Sequence, residues 1–140
     1  MPERRTRGKV LVIDDNESVL KSVRWVLELS GLEVVTTRSV ICANLIFRER
    51  PDLILMDVNM PGMKGSDAGR IFMKTVGMIE RVCIVLHSSL SPRELETLVR
   101  ESGVAGYIQK THDPEELVRQ VDRWIEVARS AAAGPGRDAS

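Results

Sequence analysis

The sequence is short of aromatic residues, has few cysteines and carries no net charge. Phe, Trp and Tyr together make up 4% of its 140 residues, so the core must be built from aliphatic side chains. The 20 Lys and Arg residues balance 20 Asp and Glu residues, which argues against nucleic-acid binding by the surface as a whole. The two cysteines, Cys42 and Cys83, belong to no CxxC pair or Cys/His cluster, so no zinc site is predicted.

Long apolar runs are also absent. No stretch approaches the roughly 18 apolar residues that span a bilayer, and no early apolar segment resembles a signal peptide. We therefore predict a cytoplasmic protein with reduced thiols, without membrane contact and without direct nucleic-acid binding. The basic start of the chain predicts a flexible leader over residues 1–8, and residues 130–140 read as a flexible tail.

Between these ends, short apolar runs alternate with segments of helical periodicity. Continuous β-branched runs such as KVLVI are typical of strands buried on both faces of a sheet. The predicted strands cover residues 9–13, 32–36, 53–56, 82–86 and 105–109. Strands alternating with helices predict one α/β domain over residues 9–129, a doubly wound parallel sheet with helices on both faces.

Capping residues mark the predicted helices. The predicted N-caps are Asn16, Ser39, Ser66 or Asp67, Ser91 and Asp113. Gly31 is predicted to end the first helix in a left-handed conformation, and Pro51 to stop the second. Proline follows Ser91 and Asp113 directly, at the first helical position, where its missing N–H is harmless.

Polar side chains follow four of the predicted strands. They are Asp14 and Asp15, then Asp57 and Asn59, then His87, Ser88 and Ser89, and finally Gln109 and Lys110. The carboxyl ends of parallel strands form the ligand-binding edge of such a sheet, so these groups are expected to converge there. Clustered carboxylates favour a hard cation such as Mg²⁺, and with a hydroxyl and an ammonium they suit phosphoryl transfer.

Each of these residues also has a less specific interpretation. An acidic pair after a strand is often stabilised only by the following helix dipole. Ser88 and His87 read as ordinary strand-end residues, and Lys110 as a solvated lysine. The functional hypothesis therefore depends on their combination in one topology.

The chain resembles the receiver domain of bacterial two-component response regulators. The segments that carry the resemblance are VLVIDDNESV, PDLILMDVNMPGMKG, VCIVLHSS and GYIQK followed by DPEEL. The resemblance implies a flavodoxin-like strand order 2-1-3-4-5 and phosphorylation of Asp57. The implied Mg²⁺ ligands are Asp14, mainly through water, Asp15, Asp57 and the backbone carbonyl of Asn59. Ser88 corresponds to the switch hydroxyl, Lys110 to the phosphate-binding lysine and Tyr107 to the switch aromatic residue.

The resemblance also implies partners. A sensor histidine kinase or a phosphotransfer protein would supply the phosphoryl group, and a downstream target protein would read the result. The domain would catalyse only its own phosphorylation and dephosphorylation, without turnover as an enzyme. Ser88 would then move toward the phosphoryl group and Tyr107 would rotate inward.

Two positions depart from the family pattern. Thr111 follows Lys110 where relatives usually have proline, often after a cis bond. Because a cis bond before a non-proline residue costs about 3 kcal/mol, we predict a trans bond. Leu90 lies where relatives can carry an acidic or amide side chain that orients water, so we predict slow self-dephosphorylation.

Alternative functions differ in what accompanies this domain. The chain could act alone on a protein target or be the receiver fragment of a longer DNA-binding transcriptional regulator. A phosphorylation-independent interaction domain is disfavoured by the complete set of polar residues. A phosphatase with an aspartyl nucleophile is also disfavoured, because Asn59 stands where such enzymes need an acid.

Overall fold

A computed structural model describes residues 7–60 and 83–138 of the chain. The described residues form five strands and four helices, which we number in chain order. The strands are β1 Lys9–Ile13, β2 Glu33–Thr37, β3 Leu53–Met56, β4 Ile84–Ser88 and β5 Gly106–Gln109. The helices are α1 Glu17–Leu29, α2 Ala43–Glu49, α3 Pro92–Ser102 and α4 Pro114–Asp138. The predicted helix that starts at Ser66 or Asp67 lies outside the described residues.

The strands form one parallel sheet in the order β2-β1-β3-β4-β5. This order confirms the doubly wound, flavodoxin-like fold. The chain order reverses at β1, which lies between β2 and β3. Ligands of such sheets bind beyond the carboxyl ends of the strands at this reversal.

Alternating residues of β1 fill two separate cores, one on each face of the sheet. Val10 and Val12 pack with α1 and α4, whereas Leu11 and Ile13 pack with the residues of α2 and α3. All four side chains are completely buried. A central strand with no solvent-facing side explains why its sequence is continuously apolar.

Three predicted caps are confirmed. The side chain of Asn16 accepts hydrogen bonds from two backbone N–H groups of the first turn of α1. Ser91 and Glu94 form a reciprocal capping box at α3, with proline next in sequence. The carboxylate of Asp113 accepts from the first backbone N–H groups of α4. Gly31, after α1, has the predicted left-handed backbone with φ of 95°.

The predicted start of α2 at Ser39 is wrong. The hydroxyl of Ser39 accepts a hydrogen bond from the N–H of Ile41, two residues on, which closes a local turn instead of a helix cap. The helix begins at Ala43, after Cys42. The helix ends before Pro51, as predicted. Arg50, the residue after its last turn, adopts a left-handed conformation with φ of 48°.

Strand β4 lies later in the chain than predicted, at Ile84–Ser88 rather than residues 82–86. The two polar residues after the apolar run, His87 and Ser88, pair with Ile108 and Gln109 of β5 and are almost completely buried. The strand therefore ends where its pairing ends and not where its hydrophobic residues end.

The last helix is longer than the sequence predicts. The apolar stripe of α4 ends near Ala128, but helical backbone continues to Asp138 through the segment predicted as a tail. The run of residues from Ser130 to Ala133 is rich in alanine, the residue with the highest helix propensity. The division into a leader, a domain over residues 9–129 and a tail stays a prediction. No helix of the described ranges is long and apolar enough to cross a membrane.

Candidate functional site

Backbone hydrogen bonds place the predicted polar residues at one edge of the sheet. The N–H of Asp14 donates to Thr37 across 3.2 Å, and the N–H of Asp57 donates to Ile13 across 2.9 Å. The N–H of Lys110 likewise donates to the carbonyl of Ser88 across 2.7 Å. These bonds extend the strand ladder by one residue, so the main chain itself brings Asp14, Asp57 and Lys110 to the carboxyl edge.

The ammonium group of Lys110 lies between two buried carboxylates. Its Nζ atom is 3.0 Å from Oδ2 of Asp14 and 3.4 Å from Oδ1 of Asp57. Asp14 is 1% exposed and Asp57 is 6% exposed. Within the described residues, one cation therefore faces two carboxylates that are largely removed from water, so negative charge is in excess among these three side chains.

The two oxygens of Asp14 differ in their partners. Oδ1 accepts a hydrogen bond from the N–H of Asn16 across 2.8 Å, which orients the carboxylate. Oδ2 is buried, and no group of residues 7–60 or 83–138 donates an aligned hydrogen bond to it. Its contact with Lys110 is close enough for charge attraction but lacks hydrogen-bond geometry. A buried carboxylate oxygen without a donor is poorly compensated and is suited to a cation.

Burial raises the pKa of the Asp57 carboxyl group above its ordinary value of 3.8. The nearby Lys110 charge opposes this rise, the Asp14 charge adds to it, and hydrogen bonds from Lys110 and the backbone of Asn59 oppose it. Burial and the Asp14 charge thus disfavour the ionised form of Asp57 more than Lys110 and the Asn59 backbone favour it. An additional cation would stabilise the ionised form, which is the nucleophilic one.

Asp15 contacts a different cation, Arg38. The guanidinium of Arg38 donates from Nε to the backbone carbonyl of Asp15 across 3.1 Å, and its Nη2 lies 3.6 Å from Oδ1. Within residues 7–60 and 83–138, no three metal-binding side chains lie close enough to form a ligand cluster. The ligation of Mg²⁺ by Asp14, Asp15, Asp57 and Asn59 therefore stays a prediction.

Ser88 connects the site to the loop that follows β4. Its hydroxyl oxygen accepts a hydrogen bond from the N–H of Leu90 across 3.1 Å. The carbonyl of Leu90 accepts in turn from the side-chain amide of Gln109, on β5, across 2.9 Å. A movement of the Ser88 hydroxyl would therefore alter the hydrogen bonding of the loop between β4 and α3.

Tyr107 lies on β5, two residues before Gln109 and on the same face of the sheet as Leu86. Its ring is partly buried and packs against the core on the face covered by α2 and α3. The next strand position toward the amino end, Gly106, lies directly beneath the ring of Trp124. The switch role of Tyr107 stays a prediction.

The Lys110–Thr111 peptide bond is trans, because the described residues contain no cis peptide bond. This confirms the prediction made from the threonine at position 111. The trans bond is compatible with Lys110 reaching both Asp14 and Asp57, so proline at the next position is not needed to aim the ammonium group at this edge.

Two residues near the site have environments that the sequence did not predict. His87 is 3% exposed, its Nδ1 has no hydrogen-bond partner in the part of the chain that the structure describes, and burial lowers its pKa to about 4. It lines a cleft of about 510 Å³ between α1 and the loop that begins at Lys110. The contact between Arg38 and Asp15 has no local sequence signal, because the two residues meet only through the pairing of β1 with β2.

The fold and the site together define a class: a doubly wound α/β domain with an acidic site opposite a lysine. The sequence pattern of the response regulator receiver domain matches residues 10–122, and the chain belongs to this family. Proteins of the family are signalling domains and not turnover enzymes.

Individual relatives agree with this assignment. The chain is 30% identical over 122 residues to the polar-differentiation response regulator DivK of Brucella anthropi, covering 86% of this chain and 93% of DivK. It is 34% identical over 116 residues to the DNA-binding response regulator MtrA of Mycobacterium tuberculosis, covering 82% of this chain and 49% of MtrA. The chain thus spans about half the length of MtrA.

A solved structure shows the same fold. The chemotaxis protein CheY4 of Vibrio cholerae superposes with a TM-score of 0.71 at 26% identity, covering 83% of this chain and 97% of that protein. The structural likeness extends over almost the whole of CheY4, so the comparison concerns the entire domain and not a shared fragment.

Proposed function

We propose that this receiver domain signals by accepting a phosphoryl group on Asp57 from a sensor histidine kinase or a phosphotransfer protein. The observation that carries the proposal is the placement of the Asp57 carboxylate, nearly buried at the carboxyl edge and 3.4 Å from the Lys110 ammonium. A nucleophile held beside a cation is what transfer of a negatively charged phosphoryl group needs.

The proposed reaction forms an acyl phosphate. A carboxylate oxygen of Asp57 attacks the phosphorus atom of a phosphohistidine on the partner, and the phosphorus–nitrogen bond breaks. The electron pair of that bond stays on the partner's histidine, which takes up a proton from solvent. Lys110 stabilises negative charge on the phosphoryl oxygens as the new bond forms.

The residues at this edge suit Mg²⁺ as the cofactor. The Asp14 Oδ2 atom, which contacts Lys110 without an aligned hydrogen bond, and the Asp57 carboxylate are hard oxygen groups, and among these described side chains negative charge is in excess. Asp14, Asp15, Asp57 and the carbonyl of Asn59 would hold the ion, which neutralises charge on the phosphoryl oxygens when bound. Asp14 contributes an oriented carboxylate because its other oxygen is fixed by the backbone of Asn16.

The proposed output begins at Ser88. A hydroxyl that accepts one hydrogen bond still has its own hydrogen to donate, and a phosphoryl oxygen on Asp57 is a strong acceptor. Rotation of Ser88 toward that oxygen breaks the hydrogen bond from the N–H of Leu90. This loosens the loop after β4, to which the side chain of Gln109 also donates a hydrogen bond. The partly buried Tyr107 then moves inward, and a downstream protein reads the altered surface around β5.

Release of the phosphoryl group is expected to be slow. Leu90 has an apolar side chain and Asn59 has an amide in place of an acid, so neither offers the general acid or base that speeds hydrolysis. The domain therefore acts as a timed switch whose phosphorylated state lasts long enough to be read.

The proposal is tested by incubating the purified chain with acetyl phosphate and measuring its intact mass, with and without Mg²⁺. We expect a mass increase of one phosphoryl group that requires Mg²⁺. Beryllofluoride, which mimics the phosphoryl group, is expected to shift the amide signals of Ser88 and Tyr107. The proposal would be contradicted if acetyl phosphate gave no Mg²⁺-dependent mass increase and beryllofluoride did not shift these amide signals.

A second candidate is a receiver within a DNA-binding transcriptional regulator. The similarity to MtrA favours it, because MtrA is named as a DNA-binding response regulator and is about twice as long as the matched region. The length of the natural gene product separates the two candidates. A DNA-binding module encoded in the same reading frame would support the regulator, and its absence would support a receiver that acts alone on a protein target.

A further inference from the structure

Arg38 makes two contacts with one acidic residue of the site. The Nε–H of its guanidinium donates to the backbone carbonyl of Asp15 across 3.1 Å. The Nη2 atom lies 3.6 Å from the side-chain Oδ1 of the same residue. The guanidinium thus spans the main chain and the carboxylate of Asp15, which holds the side chain toward β2.

The sheet pairing fixes the position of Arg38. Strand β2 runs parallel to β1, with Thr37 opposite Ile13, and the carbonyl of Thr37 accepts from the N–H of Asp14. Arg38 directly follows Thr37, and Asp14 directly follows Ile13, so the segments after β2 and β1 leave the sheet at the same edge. The proximity of Arg38 to Asp15 is therefore a property of the strand register and not only of one side-chain rotamer.

Among the residues that the structure describes at this edge, Lys110 and Arg38 contact different carboxylates. Lys110 contacts Asp14 and Asp57, whereas Arg38 contacts Asp15. The side chain of Lys110 is 26% exposed, whereas those of Arg38 and Asp15 are 59% and 46% exposed. The Arg38 contact is consequently the weaker and more easily displaced of the two.

We propose that Arg38 competes with the divalent cation for Asp15 and thereby lowers the Mg²⁺ affinity of the site. This inference rests on the proposed function, in which Asp15 is a metal ligand. The guanidinium and the ion would both be attracted by the negative charge of the same carboxylate. In addition, a fixed positive charge beside Asp15 repels a dication.

The magnitude follows from the exposure of the pair. Two half-exposed groups at 3.6 Å interact weakly, so the effect on Mg²⁺ affinity is modest, about three- to tenfold at low salt. Salt screens both the Arg38–Asp15 attraction and the repulsion between Arg38 and the ion. The contribution of Arg38 to Mg²⁺ affinity is therefore expected to shrink as the ionic strength is raised with a monovalent salt.

Arg48 provides a matched control. It is an exposed arginine on α2 that pairs with Glu49, and Glu49 also contacts Lys9 at the amino end of β1. Arg48 therefore lies at the opposite edge of the sheet from Asp15. The variants Arg38→Ala and Arg48→Ala change the net charge equally, but only the first removes a cation from the proposed metal site.

The test is a titration of the full chain with MgCl₂, followed by amide chemical shifts of residues at the carboxyl edge. We expect Arg38→Ala to bind Mg²⁺ about three- to tenfold more tightly than wild type at low salt, and Arg48→Ala to match wild type. In the Asp15→Asn background the Arg38→Ala effect should be smaller, because the competition for the Asp15 carboxylate is removed and only the direct repulsion between Arg38 and the ion remains. This readout does not depend on phosphorylation.

The outcomes separate this inference from the function on which it rests. If wild type and Arg38→Ala both bind Mg²⁺ at this edge with equal affinity, or if Arg38→Ala binds more weakly, the competition is refuted and the metal site stands. If neither protein shows Mg²⁺-dependent shifts at this edge, the proposed metal site fails and the inference fails with it.

Discussion

Acidification should destabilise this domain through His87. Burial, with the Lys110 charge as a smaller cause, lowers the pKa of His87 from 6.5 to about 4, and the Asp14 charge opposes the shift only in part. The unfolded chain therefore binds a proton as the pH falls below 6.5, while the folded protein does not. The stability that neutral His87 confers is complete above its unfolded pKa and is lost progressively on the way down to about 4.

Linkage gives the size of this effect. Between about pH 7.5 and about pH 5, the difference between the two pKa values costs about 2 kcal/mol of the free energy of unfolding. Asp57 acts in the opposite direction, because a raised carboxyl pKa favours the folded state at low pH. A comparison of variants is therefore needed to isolate the contribution of His87.

The assay is urea unfolding at the two pH values, followed by tryptophan fluorescence. In His87→Leu, the loss of unfolding free energy on acidification should be smaller than in wild type by about 2 kcal/mol. His112→Gln, which removes the exposed second histidine, should behave as wild type. An equal pH dependence in wild type and His87→Leu would refute the argument that a buried neutral histidine destabilises the acidified protein.

Three substitutions test other parts of the structure. Asn16→Ala should lower the free energy of unfolding by about 1 kcal/mol in urea titrations, because α1 loses its N-cap acceptor; no loss would contradict the capping role. Gly106→Ala should cost about 1–3 kcal/mol and lower the thermal midpoint, since the new Cβ would lie 2.3 Å from the Trp124 ring; an unchanged midpoint would show that the ring moves freely. Leu90→Gln should shorten the lifetime of the phosphorylated chain, measured by intact mass after the phosphodonor is removed; an unchanged or longer lifetime would contradict the role given to the apolar side chain.

Local signals in the sequence predicted much of the fold. Asn16 and Ser91 predicted helix starts because a short polar side chain can satisfy backbone N–H groups within its own turn. The apolar run at Leu53–Met56 predicted a strand with the correct bounds, since every residue of it is buried. The strand order came from the resemblance to receiver domains, because nothing local to one strand specifies its neighbours.

The errors arose where tertiary contacts outweigh local pattern. Ser39 has the chemistry of a cap, but its hydroxyl closes a turn two residues long and α2 starts later. His87 and Ser88 are polar, so the apolar run suggested that β4 ended before them, yet pairing with β5 buries both. The residues of β4 alone do not indicate how far this strand pairs with β5.

In the candidate site, too, some features were predictable from the sequence and others depended on tertiary contacts. The convergence of Asp14, Asp57 and Lys110 was predictable because parallel strands end at one edge. The contact between Arg38 and Asp15 was not, because it requires the register of β2 against β1. The low pKa of His87 was also missed, since it depends on burial of the side chain in the folded protein.

The central claim is that Asp57 accepts the phosphoryl group, and the most direct test is to locate that group in the chain. Wild type, Asp57→Asn and Asp122→Asn are treated with acetyl phosphate and Mg²⁺, and the modified residue is mapped by mass spectrometry of peptides. Asp122 is a surface aspartate on α4 paired with Arg7, so it controls for loss of a carboxylate elsewhere. We predict one phosphoryl group on Asp57 in wild type and Asp122→Asn, and none in Asp57→Asn. Modification of another residue in wild type, or equal modification of Asp57→Asn, would contradict the claim.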